Sequence, residues 1–412
     1  MRIAIVNACS PDMPHVCAVR ARSFAEALSR RGEDVLLLTP PPYETGAGTP
    51  LEDIPGIRAS SDAGDPRHIA LPHRAGSMLP AVRTGGMAPF RRRIRIASEF
   101  AIRGHVYGDW IDGGSDALKL IASEYRPDIV WAVFGNMGCW AMGRALAKQS
   151  NCPWVGDVKD SWERFIPPGF RKLTAWRFSD AAALTALSAE HAAQTGRFTQ
   201  REATVIRSGL EQNGSSGRSG GSDRPQPARM IVLSGSLYDP RRVREFVSSL
   251  CRWQSARESS DPVRLVYAGG DSDLLNEALP AATDLPIDID LKGTLAPDEL
   301  MSLQASAWAN AYIANAPNLF HHKLLELLVR NRPVIAYPNE TRESEEIASD
   351  LGARLSICQG DTDLRTAFDR FLGVDQPLSY DLNPIALKQL SIETQATRLL
   401  SVFQKAIDGS QQ

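Results

Sequence analysis

The sequence predicts an α/β protein made of two doubly wound domains with parallel sheets. In both halves of the chain, short β-branched runs alternate with amphipathic helical segments. A stretch almost devoid of apolar residues, EQNGSSGRSGGSDRPQPA at 211–228, separates the halves and predicts a flexible linker. The length of 412 residues fits two domains of ordinary size. We therefore expect an N-terminal domain over 1–210, a C-terminal domain over 229–382, and a helical segment over 383–412 that crosses back to the first domain.

Composition excludes several classes of protein. Charged residues make up 23% of the chain and the formal net charge is −2, so neither a nucleic-acid partner nor an acidic tail is predicted. The six cysteines form no CxxC pair and no His/Cys cluster, which indicates buried thiols and no metal site. The N-terminal MRIAIVNA lacks the apolar core of a signal peptide, and no segment is apolar enough to span a bilayer. These features predict a cytoplasmic protein.

The chain begins with a βαβ unit. Arg2–Val6 predicts a buried strand, residues 18–31 a helix that Gly32 ends, and residues 34–39 a second strand. The turn between the first strand and the helix reads NACSPDMPHVCAVR and lacks the GxGxxG pattern. A nicotinamide dinucleotide site is therefore not predicted here.

The next part of the chain has weaker signals. Residues 40–86 predict long loops, with faint strand signals at 57–59 and 68–71. The stretch 89–104, PFRRRIRIASEFAIRG, combines five arginines with Phe and Ile side chains. Residues 90–103 therefore predict either a helix that lies on an anionic membrane surface or the solvated face of an ordinary packed helix.

The remaining strands of the first half are predicted at 128–134, 153–159, 182–187 and 203–206. Polar residues stand at the end of the strand at 153–159, namely Asp157, Lys159 and Asp160. Open parallel sheets bind ligands at the carboxyl ends of their strands, which makes these residues candidates for a site. Turn formation and helix capping are the alternative explanation for the two aspartates.

The second half repeats the pattern. Six strands are predicted, at 230–233, 263–268, 287–291, 309–314, 334–337 and 353–357. A tight turn, Ser234-Gly235-Ser236, follows the first of them. The last segment predicts a long amphipathic helix that is broken near Ser391.

The stretch NLFHHKLLELLVRNRPVIAYP, residues 318–338, predicts a loop, a helix, a turn and a strand. Asn318 is the expected helix cap, and the free amides over 319–322 would form an anion site with Lys323 beside them. Glu326 follows three residues after Lys323 and could accept hydrogen bonds from a sugar hydroxyl. An ordinary solvated pair of charges on a helix is the alternative.

Four motifs carry a resemblance to a known family: PWVGDVKDSW at 153–162, TVIRSGLE at 204–211, VLSGSLYDPRR at 232–242 and HKLLELLVRNRPVIAY at 322–337. Together with the two α/β domains and the linker, they resemble the GT-B fold, in which two Rossmann-like domains face a cleft. More narrowly, the chain looks like the family-4 retaining glycosyltransferases, in particular bacterial members that build cell-surface polysaccharides. The resemblance runs from Arg2 to about Ile407.

The resemblance implies a site for a nucleotide-sugar donor in the second domain. Gly235 matches the turn that approaches the donor diphosphate, and Arg241 or Arg242 matches the basic position beyond it. Ser236 stands where many members have Arg. Glu326 matches the glutamate that binds ribose, whereas Asn318 replaces the glutamate that faces the donor sugar. The full set of predicted donor-binding residues is Gly235, Ser236, Arg241, Arg242, Leu319, Phe320, His321, His322, Lys323 and Glu326.

In the first domain the resemblance is looser. Asp160 matches an acidic residue at the cleft, and Lys159 takes the place of the His that precedes it in many members. Asp160, Lys159 and Asn318 are thus the predicted catalytic residues. Arg22, which resembles a family Arg, and Asp157 are predicted on the acceptor side.

The predicted reaction is transfer of a sugar from a nucleoside diphosphate sugar to an acceptor hydroxyl, with retention and without a metal or cofactor. The acceptor is expected to be a lipid-linked glycan, a polysaccharide precursor or a small glycoside, handled at the inner face of the membrane. The acidic pairs at 271–273 and 288–290 are interpreted as a turn and a strand start, not as metal ligands. A non-hydrolysing nucleotide-sugar epimerase and a catalytically silent donor-binding or partner protein remain as alternatives.

Overall fold

The computed structural model describes residues 1–13, 16–42, 48–58, 65–211, 229–257, 262–279, 285–314 and 319–410. The chain divides into two compact units. Unit 1 comprises Met1–Gly209 and Leu390–Gln412, and unit 2 comprises Leu210–Gln389. The predicted linker, apart from Glu211 at its start, and the predicted catalytic residue Asn318 lie outside the described residues.

Unit 1 is built on a seven-stranded parallel sheet in the order β3-β2-β1-β4-β5-β6-β7. The strands are β1 (Arg2–Val6), β2 (Asp34–Thr39), β3 (Arg67–Ala70), β4 (Ile129–Phe134), β5 (Trp154–Val158), β6 (Ala183–Ala186) and β7 (Thr204–Val205). Only a faint signal predicted β3, because it is a short edge strand with one neighbour.

Helices cover both faces of this sheet, as a doubly wound fold requires. They are α1 (Val16–Arg30), α2 (Leu79–Thr84), α3 (Pro89–Ile102), α4 (Gly108–Gly113), α5 (Ser115–Glu124), α6 (Met137–Ser150), α7 (Trp162–Phe165), α8 (Arg171–Arg177) and α9 (Ala189–Thr199). Short 3₁₀ turns occupy Leu51–Asp53, Pro55–Arg58 and Pro168–Phe170.

Unit 2 contains a six-stranded parallel sheet in the order β10-β9-β8-β11-β12-β13. Its strands are β8 (Met230–Ser234), β9 (Val263–Ala268), β10 (Ile287–Gly293), β11 (Ala309–Ile313), β12 (Val334–Tyr337) and β13 (Leu355–Ile357). Its helices are α10 (Pro240–Ser255), α11 (Ser272–Ala278), α12 (Pro297–Ser306), α13 (His322–Leu328), α14 (Arg342–Leu351) and α15 (Asp361–Leu372). Strand order reverses between β8 and β11, and this switch point is where open α/β sheets bind ligands.

The C-terminal segment consists of α16 (Pro384–Leu390) and α17 (Ile392–Ser410). The predicted break at Ser391 is confirmed, and the Ser391 hydroxyl accepts a hydrogen bond from the Thr394 amide at 3.3 Å. Helix α17 belongs to unit 1, and its apolar face packs into the core of that unit, where the ring centroids of Phe403 and Trp131 are 6.3 Å apart. In the part of the chain that the structure describes, no helix combines the length and the apolarity needed to cross a bilayer.

Candidate functional site

The turn after β8 lies at the switch point of unit 2 and is fixed from several sides. The Gly235 amide donates to the Ala268 carbonyl at 2.8 Å, and the Tyr267 hydroxyl donates to the Gly235 carbonyl at 2.9 Å. Gly235 has φ +86, a left-handed conformation that favours glycine. A Cβ on Gly235 would lie 2.0 Å from the Lys323 ammonium nitrogen. A side chain at this position would therefore displace Lys323.

Lys323 extends from the first turn of α13 to this glycine turn. Its Nζ donates to the Ser234 carbonyl oxygen at 2.8 Å, which places the ammonium group at the carboxyl end of β8. Burial lowers the pKa of Lys323 to about 8, although Glu326 and Asp271 favour its charged form. A buried cation of this kind gains stability from a bound anion, so Lys323 is suited to a phosphate group.

The structure separates the two candidate arginines of α10. Arg242 donates from Nη1 to the Ala314 carbonyl at 2.9 Å, just beyond β11, so its guanidinium lies at the switch point. Arg241 is exposed and donates to Glu245 Oε1 at 3.0 Å, one turn along the same helix. Ser236 is exposed beside the glycine turn. Arg242 also pairs with Asp239 at 3.2 Å, but of the two arginines it is the one whose guanidinium reaches the carboxyl end of β11.

Helix α13 begins later than predicted. Its first residue is His322, and His321 has the extended backbone of an N-cap, with φ −108 and ψ 121. Leu319 and Phe320 precede the helix, and the Phe320 side chain is buried and anchors the segment. The prediction of free helix amides over 319–322 is therefore wrong for residues 319–321, which precede the helix. Of the predicted residues, only His322 belongs to α13.

The carboxylate of Glu340 lies close to the start of α13 and was not predicted from the sequence. The buried Glu340, three residues after β12, receives a short hydrogen bond from the Tyr312 hydroxyl. His321 Nδ1 lies 3.0 Å from the same Glu340 oxygen, and the Thr341 amide donates to the other oxygen at 3.2 Å. Burial and the Glu340 charge raise the pKa of Tyr312 well above its usual value. Glu340 thus orients His321 next to Lys323.

Glu326 and His322 lie next to each other on the first turns of α13. The Glu326 side chain is 47% exposed, and its Oε1 lies 3.6 Å from His322 Nε2. The Glu326 carboxylate is accessible to solvent one turn behind Lys323, as the predicted ribose contact requires. Gly235, Arg242, His321, Lys323 and Glu326 therefore share one region of unit 2.

In unit 1, Lys159 and Asp160 follow β5 directly. Lys159 Nζ donates to Asp160 Oδ2 at 2.8 Å, and the Lys159 side chain is buried while Asp160 is partly exposed. Burial alone would lower the pKa of Lys159, but interactions with Cys17 and Asp160 outweigh it and raise that pKa. Lys159 is therefore a fixed positive charge at the carboxyl edge of the first sheet.

Asp157 does not occupy the acceptor-side position predicted for it. Its side chain is fully buried and forms a two-point ion pair with Arg20, at 2.8 and 3.2 Å. Thr185 adds a hydrogen bond at 2.7 Å. The prediction that Asp157 lies on the acceptor side is therefore wrong, because its buried carboxylate oxygens accept hydrogen bonds from Arg20 and Thr185. Arg22, in contrast, is exposed and donates to the Pro11 carbonyl at 3.3 Å.

The two acidic stretches also have structural explanations. Asp271 precedes α11 and accepts from the Leu237 amide at 2.8 Å, so it holds the segment after the glycine turn. Asp288 and Asp290 lie within β10. Across the described residues, no group of three His, Cys, Asp or Glu side chains is arranged to hold a metal ion.

Residues 17–209 match the family model of the Glycosyl transferase 4-like domain. No curated protein matches the chain in sequence. Among solved structures, HepE from Anabaena in complex with UDP and glucose is similar to this chain with a TM-score of 0.64, 13% identity, and coverage of 98% of this chain and 99% of HepE. A glycosyltransferase from Rickettsia africae gives a TM-score of 0.66 at 14% identity, over 98% of both chains.

The structure of a protein described as an epimerase is also similar to this chain. A putative UDP-N-acetylglucosamine 2-epimerase from Listeria monocytogenes gives a TM-score of 0.52 at 12% identity, over 98% of this chain and 95% of that protein. At these identities the likeness concerns the fold. The predicted fold class, two Rossmann-like α/β domains as in GT-B glycosyltransferases, is confirmed.

Proposed function

We propose that the protein is a glycosyltransferase that moves a sugar from a nucleoside diphosphate sugar to an acceptor hydroxyl. The observation that carries this proposal is the ammonium group of Lys323 at the glycine turn after β8, 2.8 Å from the Ser234 carbonyl. A buried cation at a switch point has the position and charge needed for a diphosphate. The match of residues 17–209 to a Glycosyl transferase 4-like domain supports the reaction class.

The chemistry of the leaving group explains why positive charges are needed at the glycine turn after β8. When the bond between the sugar and the diphosphate breaks, negative charge develops on the phosphate oxygen that leaves. Fixed donors aimed at that oxygen lower the barrier. Lys323 and Arg242 supply two positive charges, so we propose that transfer proceeds without a metal ion.

Glu326 is assigned to the ribose hydroxyls of the donor. Its carboxylate is exposed and acceptor-only, which suits the two neighbouring hydroxyls of a ribose. UDP is the first nucleotide to test, because HepE was crystallised with it. Asn318 is proposed to face the donor sugar. Retention of configuration is part of the proposal by resemblance.

The acceptor is assigned to unit 1. Lys159 and Asp160 lie at the carboxyl edge of its sheet, and Arg22 lies on the first turns of α1. The partly exposed Asp160 carboxylate can accept a hydrogen bond from an acceptor hydroxyl. We propose a lipid-linked glycan, a polysaccharide precursor or a small glycoside as the acceptor, handled by a cytoplasmic protein at the inner face of a membrane.

The experiment that tests this function starts with a screen of nucleotide sugars for thermal stabilisation, since a ligand of the native state raises its melting temperature. The stabilising donor is then incubated with and without a membrane extract that contains acceptors. Acceptor-dependent release of the nucleoside diphosphate, with the sugar moved to a new product, is the expected result. Conversion of the donor to an epimer without acceptor would instead identify an epimerase. Binding without turnover under either condition would identify a donor-binding protein.

A further inference from the structure

A surface of unit 1 concentrates large apolar side chains that remain exposed. Phe90, Ile94 and Ile102 lie on α3, and Leu173 and Trp176 lie on α8. Phe90 is 74% exposed and Trp176 is 71% exposed. We call these five residues, together with Arg91, Arg93 and Lys172, the α3–α8 surface. Apolar patches of this kind on a soluble fold commonly mark an interaction site.

The C-terminal ends of α3 and α8 are joined to each other. Arg177 of α8 donates from Nη2 to the Ala101 carbonyl of α3 at 3.0 Å. The rings of Phe100 and Phe170, which lie beneath, are 5.9 Å apart. Phe100 is buried and Phe170 packs against the core of unit 1. The exposed side chains are therefore carried on a fixed base.

Helical geometry explains the composition of the outer face. Phe90, Ile94 and Ala101 are spaced by four and seven residues, so they share one face of α3. The opposite face carries Ile96 and Phe100, which pack into unit 1. Core packing thus accounts for the inner apolar face, whereas no element among the described residues covers Phe90 and Ile94 on the outer face.

Unpaired positive charge flanks the outer face. Arg91 and Arg93 lie on either side of Phe90 and Ile94, and Lys172 is one turn before Trp176. Within the described ranges these three side chains form no ion pair, whereas Arg95 and Arg103 of the same region pair with Glu99. Basic side chains beside an apolar stripe match the phosphates and the acyl boundary of an anionic membrane.

We propose that the α3–α8 surface docks on a membrane that contains anionic phospholipids. Phe90, Ile94 and Trp176 enter the headgroup region, where aromatic rings are favoured, while Arg91, Arg93 and Lys172 contact lipid phosphates. The proposal stands on the geometry of unit 1 and is independent of the proposed donor site.

Trp176 provides a direct probe of docking. The other seven tryptophans of the chain are at most 3% exposed, so acrylamide quenching of tryptophan fluorescence reports mainly Trp176. With vesicles of phosphatidylcholine and phosphatidylglycerol, we expect a blue shift and protection from acrylamide. Neither effect should occur with phosphatidylcholine alone or with the Trp176→Leu variant. Vesicle binding without any change at Trp176 would overturn the assignment of α8.

Co-sedimentation with the same vesicles measures the separate contributions of the basic and the apolar side chains to membrane binding. Replacing both Arg91 and Arg93 by Gln should weaken binding about 30-fold at low salt. Replacing both Phe90 and Ile94 by Ser should weaken it at least tenfold. As matched controls, the double variant Arg398→Gln/Lys405→Gln on α17 and the variant Ile385→Ser on α16 change exposed residues of the same types elsewhere.

All of these variants alter exposed side chains, so their melting temperatures should remain close to that of the wild type. The proposal is overturned if the wild type does not sediment with anionic vesicles, or if the α3 variants and the controls bind equally. A dimer that dissociates on replacement of Phe90 and Ile94 would show that a second copy covers this surface, and would also overturn it.

Discussion

Glu340 lies 3.0 Å from Nδ1 of His321, the residue that caps α13. The contact joins the loop after β12 to the segment that leads into the candidate donor site. Because Tyr312 donates to the same buried oxygen of Glu340, one carboxylate connects three parts of unit 2. The position of His321, and of the helix that carries Lys323, therefore depends on Glu340.

Glu340→Gln should both destabilise the protein and weaken UDP binding. A glutamine amide cannot accept from Tyr312 and His321 on one side and from the Thr341 amide on the other, so at least one buried donor loses its partner. We expect a loss of about 1–3 kcal/mol in the free energy of unfolding, measured by urea denaturation. The exposed Glu345 of α14 is the control, and equal effects of the two substitutions would contradict the role of Glu340.

The ion pair of Arg20 and Asp157 should support the fold of unit 1 and not ligand binding. Asp157→Asn leaves the buried Arg20 guanidinium without its carboxylate, which costs about 3–5 kcal/mol of stability. Glu393→Gln breaks a surface pair with Arg30 and should cost only about 0–1 kcal/mol. Urea denaturation compares the two. A small effect at Asp157, accompanied by loss of acceptor turnover, would restore its predicted acceptor role.

Glu326→Ala should weaken the binding of UDP about tenfold or more, because the ribose hydroxyls lose a charged acceptor. The same substitution should leave the affinity for 2′,3′-dideoxy-UDP unchanged, since that ligand lacks both hydroxyls. The stability of the protein should change by no more than about 0.5 kcal/mol, because the side chain is half exposed. Calorimetric titration of both ligands gives the answer. Equal losses for UDP and the dideoxy compound would place Glu326 away from the ribose.

Local sequence signals were sufficient for much of the fold. The alternation of strands and helices, the turn at Gly235 and the break at Ser391 follow from periodicity and from glycine and serine chemistry. Contacts between distant segments were not predictable in this way. Arg20 and Asp157 are separated by 137 positions, and the helical pattern of α1 does not show that Arg20 is buried while Arg22 is exposed.

The candidate donor site was predicted only in part, because some of its contacts are local in sequence and others join distant segments. Lys323 and Glu326 share a short helical motif with a recognisable spacing, and the structure brings Lys323 to Gly235. Glu340 lies 28 positions from Tyr312 and 19 from His321, so its role depends on how strands β11 and β12 are paired. A carboxylate shortly after a buried strand was the one available signal. It resembles an ordinary turn residue, and only the packing distinguishes the two.

The pH dependence of UDP affinity shows whether Lys323 binds the donor diphosphate. With a pKa of about 8, Lys323 is charged below pH 8 and loses its proton above it. A bound diphosphate favours the charged form, so binding above pH 8 takes up a proton and weakens as the pH rises. We expect UDP affinity to fall about tenfold between pH 7 and pH 9. Lys323→Met should bind UDP more weakly and lack this component of the pH dependence. If the wild type and Lys323→Met bind UDP with the same affinity and the same pH profile, the diphosphate does not contact Lys323 and the assignment of this residue is wrong.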